Sequence, residues 1–392
     1  DVLVTGYDII FFWVARMIMA GYEYRGEKPF GNVYFTGIVR DKIGRKMSKQ
    51  LGNSPDPLDL IAQYGADGMR VAMLLSSSAG NDVMFDEALC EQGRNFGNKI
   101  WNAYRLVNGW TVDGTLAQSD NDRLAGEWFR QTLRRAVAEL DGNFGSYRIS
   151  EAFMLLYKLF WDDFSGWYLE MIKPAYGAPI DPRTVDEAKG FFDALLRLLH
   201  PFMPFVTEEL YQALPGSAET IMTQSWPTFD EAHNWADEEE AFEKVMDYIK
   251  AVRTMRTEMN VHPAKKTSMV IETASPAAFE KGGAYLARFA FATDVTVTPK
   301  YEGSADGMVN VATPDAKGFI PMMELIDREK ELARLNKELT KAEKELGMFT
   351  NQLNNPKFVE KAPAKLVEET RAKLAAAQEK TAKIKESIAA LG

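Results

Sequence analysis

Leu332, Leu335, Leu339, Ala342, Leu346, Phe349 and Leu353 recur at alternating intervals of three and four. Val367, Thr370, Leu374, Ala377, Thr381, Ile384, Ile388 and Leu391 do the same. A repeat of this kind draws a narrow apolar stripe along a helix, and the stripe requires a second helix to cover it. Asn354-Asn355-Pro356 and Pro363 lie between the two runs and break helix. The pattern predicts an antiparallel coiled-coil hairpin over residues 319–392, with arms of about 40 Å at 1.5 Å per residue. Its charge is close to balanced and slightly basic. It is either a protein-interaction arm or a surface for phosphates.

The hairpin takes only the end of a chain of 392 residues. At roughly 150 residues per domain, two to four units are expected. An apolar fraction of 46% with 26% charged residues fits folded units and excludes disorder as the main state. One cysteine, Cys90, excludes a disulfide framework, a thiolate-rich structural zinc and an iron–sulfur cluster. A net charge of −10 argues against a wholly basic nucleic-acid coat and leaves room for a local basic face. The most apolar run, Ile9 to Ala20, carries Arg16 and is shorter than the roughly 20 residues of a membrane span. It is expected to be a buried helix, and no membrane partner is expected. The chain opens on Asp1 and at once on core-like sequence, which predicts a piece of a longer protein.

Residues 1–90 mix strand and helix. Val2–Thr5 is a strand, Asp8 stands where an N-cap would, and Asn32–Val39 is a buried strand. The glycine-punctuated stretch from Arg40 to Asn53 is a loop, and Asp56-Pro57 opens a helix that Gly65 stops. Residues 91–235 have helical period: Phe96, Ile100, Ala103 and Val107 share a face, and further helices are expected at 122–141, 150–173 and 186–200. Residues 236–318 give a helix ending near Asn260 and short strands at 268–273, 294–298 and 308–312. The whole is multidomain, mainly α with α/β parts.

Arg45, Lys46 and Lys49 put three cations in five residues, beside Gly44, Met47 and Ser48. Such a loop after a buried strand is either a solvated turn or a cover for polyphosphate that neutralises charge on a leaving group. Asp8 can cap a helix or accept from ribose hydroxyls. Ile9 and Trp13, four apart, are core or the walls of a small apolar pocket. Arg94, Asn98, Asn102 and Arg105 fall on one helical face, either an ordinary polar face or one that meets phosphate and sugar of folded RNA.

Lys46-Met47-Ser48-Lys49, with Leu51-Gly52-Asn53 after it, resembles the second signature of the class I aminoacyl-tRNA synthetases; Gln50 stands where the family usually has serine. The stretch Thr5–Met17 resembles the valine-specific branch of that family. Gly93–Arg105 and Trp161–Glu170 resemble helices of its anticodon-binding bundle. The resemblance runs from Asp1 to Gly392. It implies the end of a Rossmann-like catalytic domain, a helical anticodon-binding bundle, a small α/β junction and a tRNA-binding hairpin. It also implies a ligase that uses ATP with magnesium, valine and tRNA(Val), as a cytoplasmic monomer without structural zinc.

By the same resemblance Lys46 and Lys49 are catalytic, with Asp8, Gly37, Lys46, Met47, Ser48 and Lys49 at ATP. Ile9 and Trp13 then line the valine pocket, and Arg94, Asn98, Asn102 and Arg105 meet tRNA. The family's first signature does not occur in these residues: only His200, His233 and His262 are present, none at its spacing, and the resemblance implies that this chain is the C-terminal part, without the editing domain. This leaves the fragment alone inactive. The isoleucine and leucine enzymes, and a non-catalytic tRNA-binding or scaffold protein, remain as alternatives.

Overall fold

The computed structural model describes residues 1–76, 81–229, 236–262, 265–321, 325, 328–355 and 364–391. The chain is mostly helical, 62% helix, with small sheets. It divides into two compact units, Asp1–Glu240 and Ala241–Gly392.

The first unit opens with β1 (Val2–Gly6), paired in parallel with β2 (Asn32–Thr36). Between them the chain winds through a 3-10 turn, Tyr7–Ile9, and a π-helical turn, Ile10–Val14, into α1 (Ala15–Arg25). Three expectations fail here. Asp8 lies inside the 3-10 turn, and no side chain caps its start. The run from Ile9 is not a buried helix, because α1 has no buried residue and Phe11 is 82% exposed. A two-stranded sheet is too narrow to cover an apolar helix on all sides. For the same reason the strand expected at Asn32–Val39 is only half-buried, and it breaks at Gly37-Ile38 before β3 (Val39–Asp41).

β3 pairs in parallel with β4 (Val83–Phe85). Between them lie the loop and two helices, α2 (Pro57–Tyr64) and α3 (Ala66–Ser76). Asp56 caps α2 by accepting from Leu58 N, and Pro57 takes the first position, as expected. Leu60, Ala72, Phe85 and Cys90 form the core beneath.

The helices α4 (Ala88–Asn108), α5 (Asp120–Gly145), α6 (Ile149–Lys158), α7 (Leu169–Ile172), α8 (Pro182–Leu199) and α9 (Pro204–Gln212) build the bundle. A π-helical stretch, Leu159–Tyr168, joins α6 to α7. Phe129, Phe153, Phe160, Phe164, Tyr168 and Phe192 fill the centre, ring against ring, and are almost fully buried.

In the second unit, α10 (Ala236–Glu258), which begins just before it, leads into a four-stranded sheet of order β6-β5-β8-β7. Its strands are β5 (Thr267–Thr273), β6 (Ala292–Thr298), β7 (Met308–Ala312) and β8 (Ala316–Pro321). Two short helices, α11 (Pro276–Lys281) and α12 (Gly283–Phe289), connect β5 to its parallel neighbour β6. Three strands were expected. The fourth, β8, reaches Pro321, so a boundary at 318 would cut it.

The two arms are Arg328–Asn354 and Ala364–Leu391. Glu343 meets Lys385 at 2.9 Å and Glu345 meets Lys380 at 3.6 Å, so numbers rise on one arm as they fall on the other. The hairpin is therefore antiparallel. Leu335, Ala342 and Ile384 are buried in the seam. Thr370 and Thr381 are buried there too, each donating its hydroxyl proton to a carbonyl one turn back, Leu366 O and Ala377 O. The breakers Pro356 and Pro363, and the side chain of Leu391, lie outside the described residues.

Candidate functional site

The basic loop is held by a carboxylate and an amide. Asp41, the last residue of β3, accepts from Ile43 N, Arg45 N, Arg45 Nε and Asn53 Nδ2, at 2.7 to 3.2 Å. Those bonds, Asn53's above all, hold its carboxyl far below the ordinary carboxylate range. Asn53 is the other half of the clasp: its Oδ1 accepts from Ser48 N at 2.9 Å and its Nδ2 also reaches Lys46 O at 3.3 Å. Ser48 Oγ accepts from Leu51 N at 3.2 Å. Met47 packs into the core of Leu60, Ala72, Phe85 and Cys90. With the loop pinned at these points, Lys46 and Lys49 stand exposed.

A second carboxylate ties the first turns to this region. Asp82 accepts from Ile38 N at 3.1 Å, from Tyr7 Oη at 3.2 Å and from Arg40 Nε. The Arg40 bond, with Ile38's, keeps the Asp82 carboxyl below its ordinary value. Gly37 is required here for packing: a Cβ would sit 1.8 Å from Asn81 O.

Asp8 is exposed, and Ile9 and Trp13 are 41% and 49% exposed. On α4, Arg94, Asn98, Asn102 and Arg105 all lie on the exposed face, while Cys90, Phe96, Ile100, Ala103 and Val107 are buried behind them. Arg94 also stacks over the Tyr64 ring at 5.5 Å and pairs with Glu91 at 3.3 Å.

Sequence reasoning missed Asp41 and Asp82. Asp41 had a local signal, an Asp followed two and four residues later by amides it can accept from. Asp82 had none, since its partners lie 42 to 75 residues away. Among the described residues, no group of three or more His, Cys, Asp or Glu side chains is placed to hold a metal.

This order of parts has counterparts in known proteins. Residues 1–86 match a family of class I tRNA synthetases (I, L, M and V), and residues 126–271 match the anticodon-binding domain of tRNA ligases. Residues 327–392 match the valyl-tRNA synthetase tRNA-binding arm. In each of these stretches the chain is similar to a part of the class I tRNA synthetases. Over 99% of its length it is 52% identical to the valine–tRNA ligase of Parabacteroides distasonis and 51% identical to that of Phocaeicola vulgatus. The valine–tRNA ligase of Bacteroides thetaiotaomicron is 48% identical over the same share. The chain spans 44% of the length of each of these relatives.

Proposed function

We propose that the chain is the C-terminal part of a valine–tRNA ligase. In this reading residues 1–90 end a Rossmann-like catalytic domain and residues 91–235 form the anticodon-binding bundle. Residues 236–318 form a junction, with its edge at the end of β8, and the hairpin is a tRNA-binding arm. The clasped Lys46–Lys49 loop carries the proposal, because a pure RNA binder has no use for two cations held rigidly at the end of a parallel strand.

The valine carboxylate attacks the α-phosphorus of ATP, and the bond to the β-phosphate oxygen breaks. Lys46 and Lys49 would stabilise the negative charge that collects on the departing pyrophosphate. Asp8 would accept from the ribose hydroxyls, with Gly37, Met47 and Ser48 beside the nucleotide. Met47 is packed into the core and Ser48 N donates to Asn53, so their part would be to hold the loop in shape beside the nucleotide. Ile9 and Trp13 would wall the valine side chain. A terminal ribose hydroxyl of tRNA(Val) then attacks the valyl carbonyl and AMP leaves. Magnesium would arrive with ATP as part of the substrate. Arg94, Asn98, Asn102 and Arg105 would meet the tRNA. The protein would act as a monomer in the cytoplasm.

Valine-dependent ATP–pyrophosphate exchange and charging of tRNA(Val) by the longer protein test this reading. Charging of tRNA with isoleucine or leucine in preference would overturn it. The chain alone should give no exchange, because transition-state stabilisation needs the whole nucleotide site in place.

A further inference from the structure

A cavity of about 720 Å³ lies between α5 and α8, away from the loop and from the outward face of α4. It exists because α8 turns small residues toward it: Gly190, where a Cβ would touch nothing within 4 Å, and Ala194. Leu133, Phe191 and Trp226 give it apolar walls. The segment 225–229 closes one side and is tied to α8 where Arg197 donates to Ser225 O at 3.2 Å.

The remaining lining is charged. Arg123, Arg130 and Arg134 come from one face of α5, and Arg183 and Arg197 from α8. Glu127 and Glu187 are the acids, so five positive charges less two negative leaves +3 at the lining of a chain whose net charge is −10. Arg123 pairs with Glu127 at 2.8 Å and with Asp120 at 3.3 Å, and Asp193 pairs with Arg197 from outside the lining. Glu187 is shared by Arg130 and Arg183, both at 3.6 Å, which is longer than a good charge-assisted bond. The Arg183 side chain is 70% exposed at the rim.

Guanidinium groups match phosphate oxygens with paired donors. Aromatic and aliphatic walls suit a base, and carboxylates accept from ribose hydroxyls. The volume falls in the range of small-ligand sites, about 300–1,000 Å³. We propose that this cavity binds a free nucleotide, its phosphates at Arg134 and Arg183 and its base against Trp226, beside the Phe191 ring that Arg130 covers at 5.1 Å. The site is separate from the ATP site proposed at the loop, and it does not depend on that reading.

Calorimetric titration of the chain with ADP, and separately with inorganic pyrophosphate, tests the proposal. The background is K46A/K49A, so that binding at the loop is removed. Saturable ADP binding should persist there. It should weaken at least about tenfold with Gly190→Met, which fills the cavity, and with Arg183→Ala, which removes a rim cation. Arg183 is exposed, so that variant keeps the test decisive if Gly190→Met lowers the melting temperature. Three results would overturn the proposal. One is no ADP saturation up to about 1 mM. Another is unchanged affinity in both variants. The third is a loss of tRNA affinity in both without any ADP binding, which would make the cavity a contact for the RNA backbone instead.

Discussion

Asn53 grips Asp41 and the basic loop together: its Nδ2 donates to Asp41 Oδ2 at 3.0 Å while its Oδ1 accepts from Ser48 N at 2.9 Å. Asn53→Ala removes both bonds. Each is worth about 0.5–1.5 kcal/mol, and more where the acceptor is charged. Amide-hydrogen exchange at Ser48 should therefore quicken by about tenfold or more, with no change in the bundle. Unchanged exchange at Ser48 would mean that Met47's packing and Asp41's other bonds hold the loop without Asn53.

The same pair sets a pH dependence. Asp41 titrates lower in the folded chain than in the unfolded one. Its stabilising effect is then complete above the unfolded value of about 3.9 and is lost as the pH falls from there toward the folded value. The side-chain amide resonances of Asn53 should stay fixed through pH 4 and move only in stronger acid. A midpoint near 4 would show that the clasp does not hold the carboxylate charged.

Lys49→Ala in the longer protein should lower kcat for adenylate formation about 10²–10³-fold, with little change in KM for valine. The lysine would meet charge that develops on pyrophosphate mainly in the transition state. Steady-state exchange kinetics over a range of valine concentrations separate the two constants. A raised KM with kcat intact would place Lys49 in ground-state binding.

Asp67, on α3, accepts from Phe205 N at 3.3 Å and Val206 N at 2.7 Å, and so caps α9 from 138 residues away. Burial raises its carboxyl above the ordinary range, and these two amides pull it back. Asp67→Ala leaves two first-turn amides of α9 without that acceptor and should destabilise the first unit by about 1–2 kcal/mol. Denaturant unfolding of the chain reads this. No shift in the midpoint would mean that water replaces the cap.

Period and punctuation made much of this legible. The heptads gave both arms, and the three-to-four spacing gave the buried face of α4. Asp56-Pro57 gave the start of α2. What was missed was non-local or locally atypical. β8 reads Ala-Lys-Gly-Phe-Ile-Pro, poor strand sequence, yet Gly318 is there because a Cβ would strike Tyr248. Helix α9 is short, and the acceptor for its first amides comes from Asp67. The run Ile9–Ala20 misled because apolar period shows that a face seeks cover and is silent on what covers it. Within the candidate site the cations were legible from the motif, whereas Asp82 depends on partners that only the fold assembles.

Trp13 separates two roles. It is half exposed in this chain, so Trp13→Ala should cost little melting temperature here. In the longer protein it should weaken rejection of isoleucine, because a lost pocket wall leaves room for an extra methylene, a difference worth about 1–3 kcal/mol. Comparing valine and isoleucine activation on one preparation decides the matter. Unchanged discrimination would remove Trp13 from the amino-acid pocket.

Removing the hairpin tests the arm. The cut belongs before Arg328, because Pro321 ends β8 and an earlier cut would unpair the sheet. The seam of Leu335, Ala342 and Ile384 closes on itself, so the truncated chain should keep the rest of its core. Lysines on both arms, Lys337 and Lys341 on the first and Lys380 and Lys385 on the second, stand exposed. If they meet phosphates, binding releases counterions and falls steeply with salt. Truncation should then raise Kd for tRNA and make the slope of log K against log salt shallower, while adenylate formation by the longer protein holds. Filter binding across a salt series measures both. An unchanged slope together with an unchanged Kd would show that the hairpin meets something other than RNA.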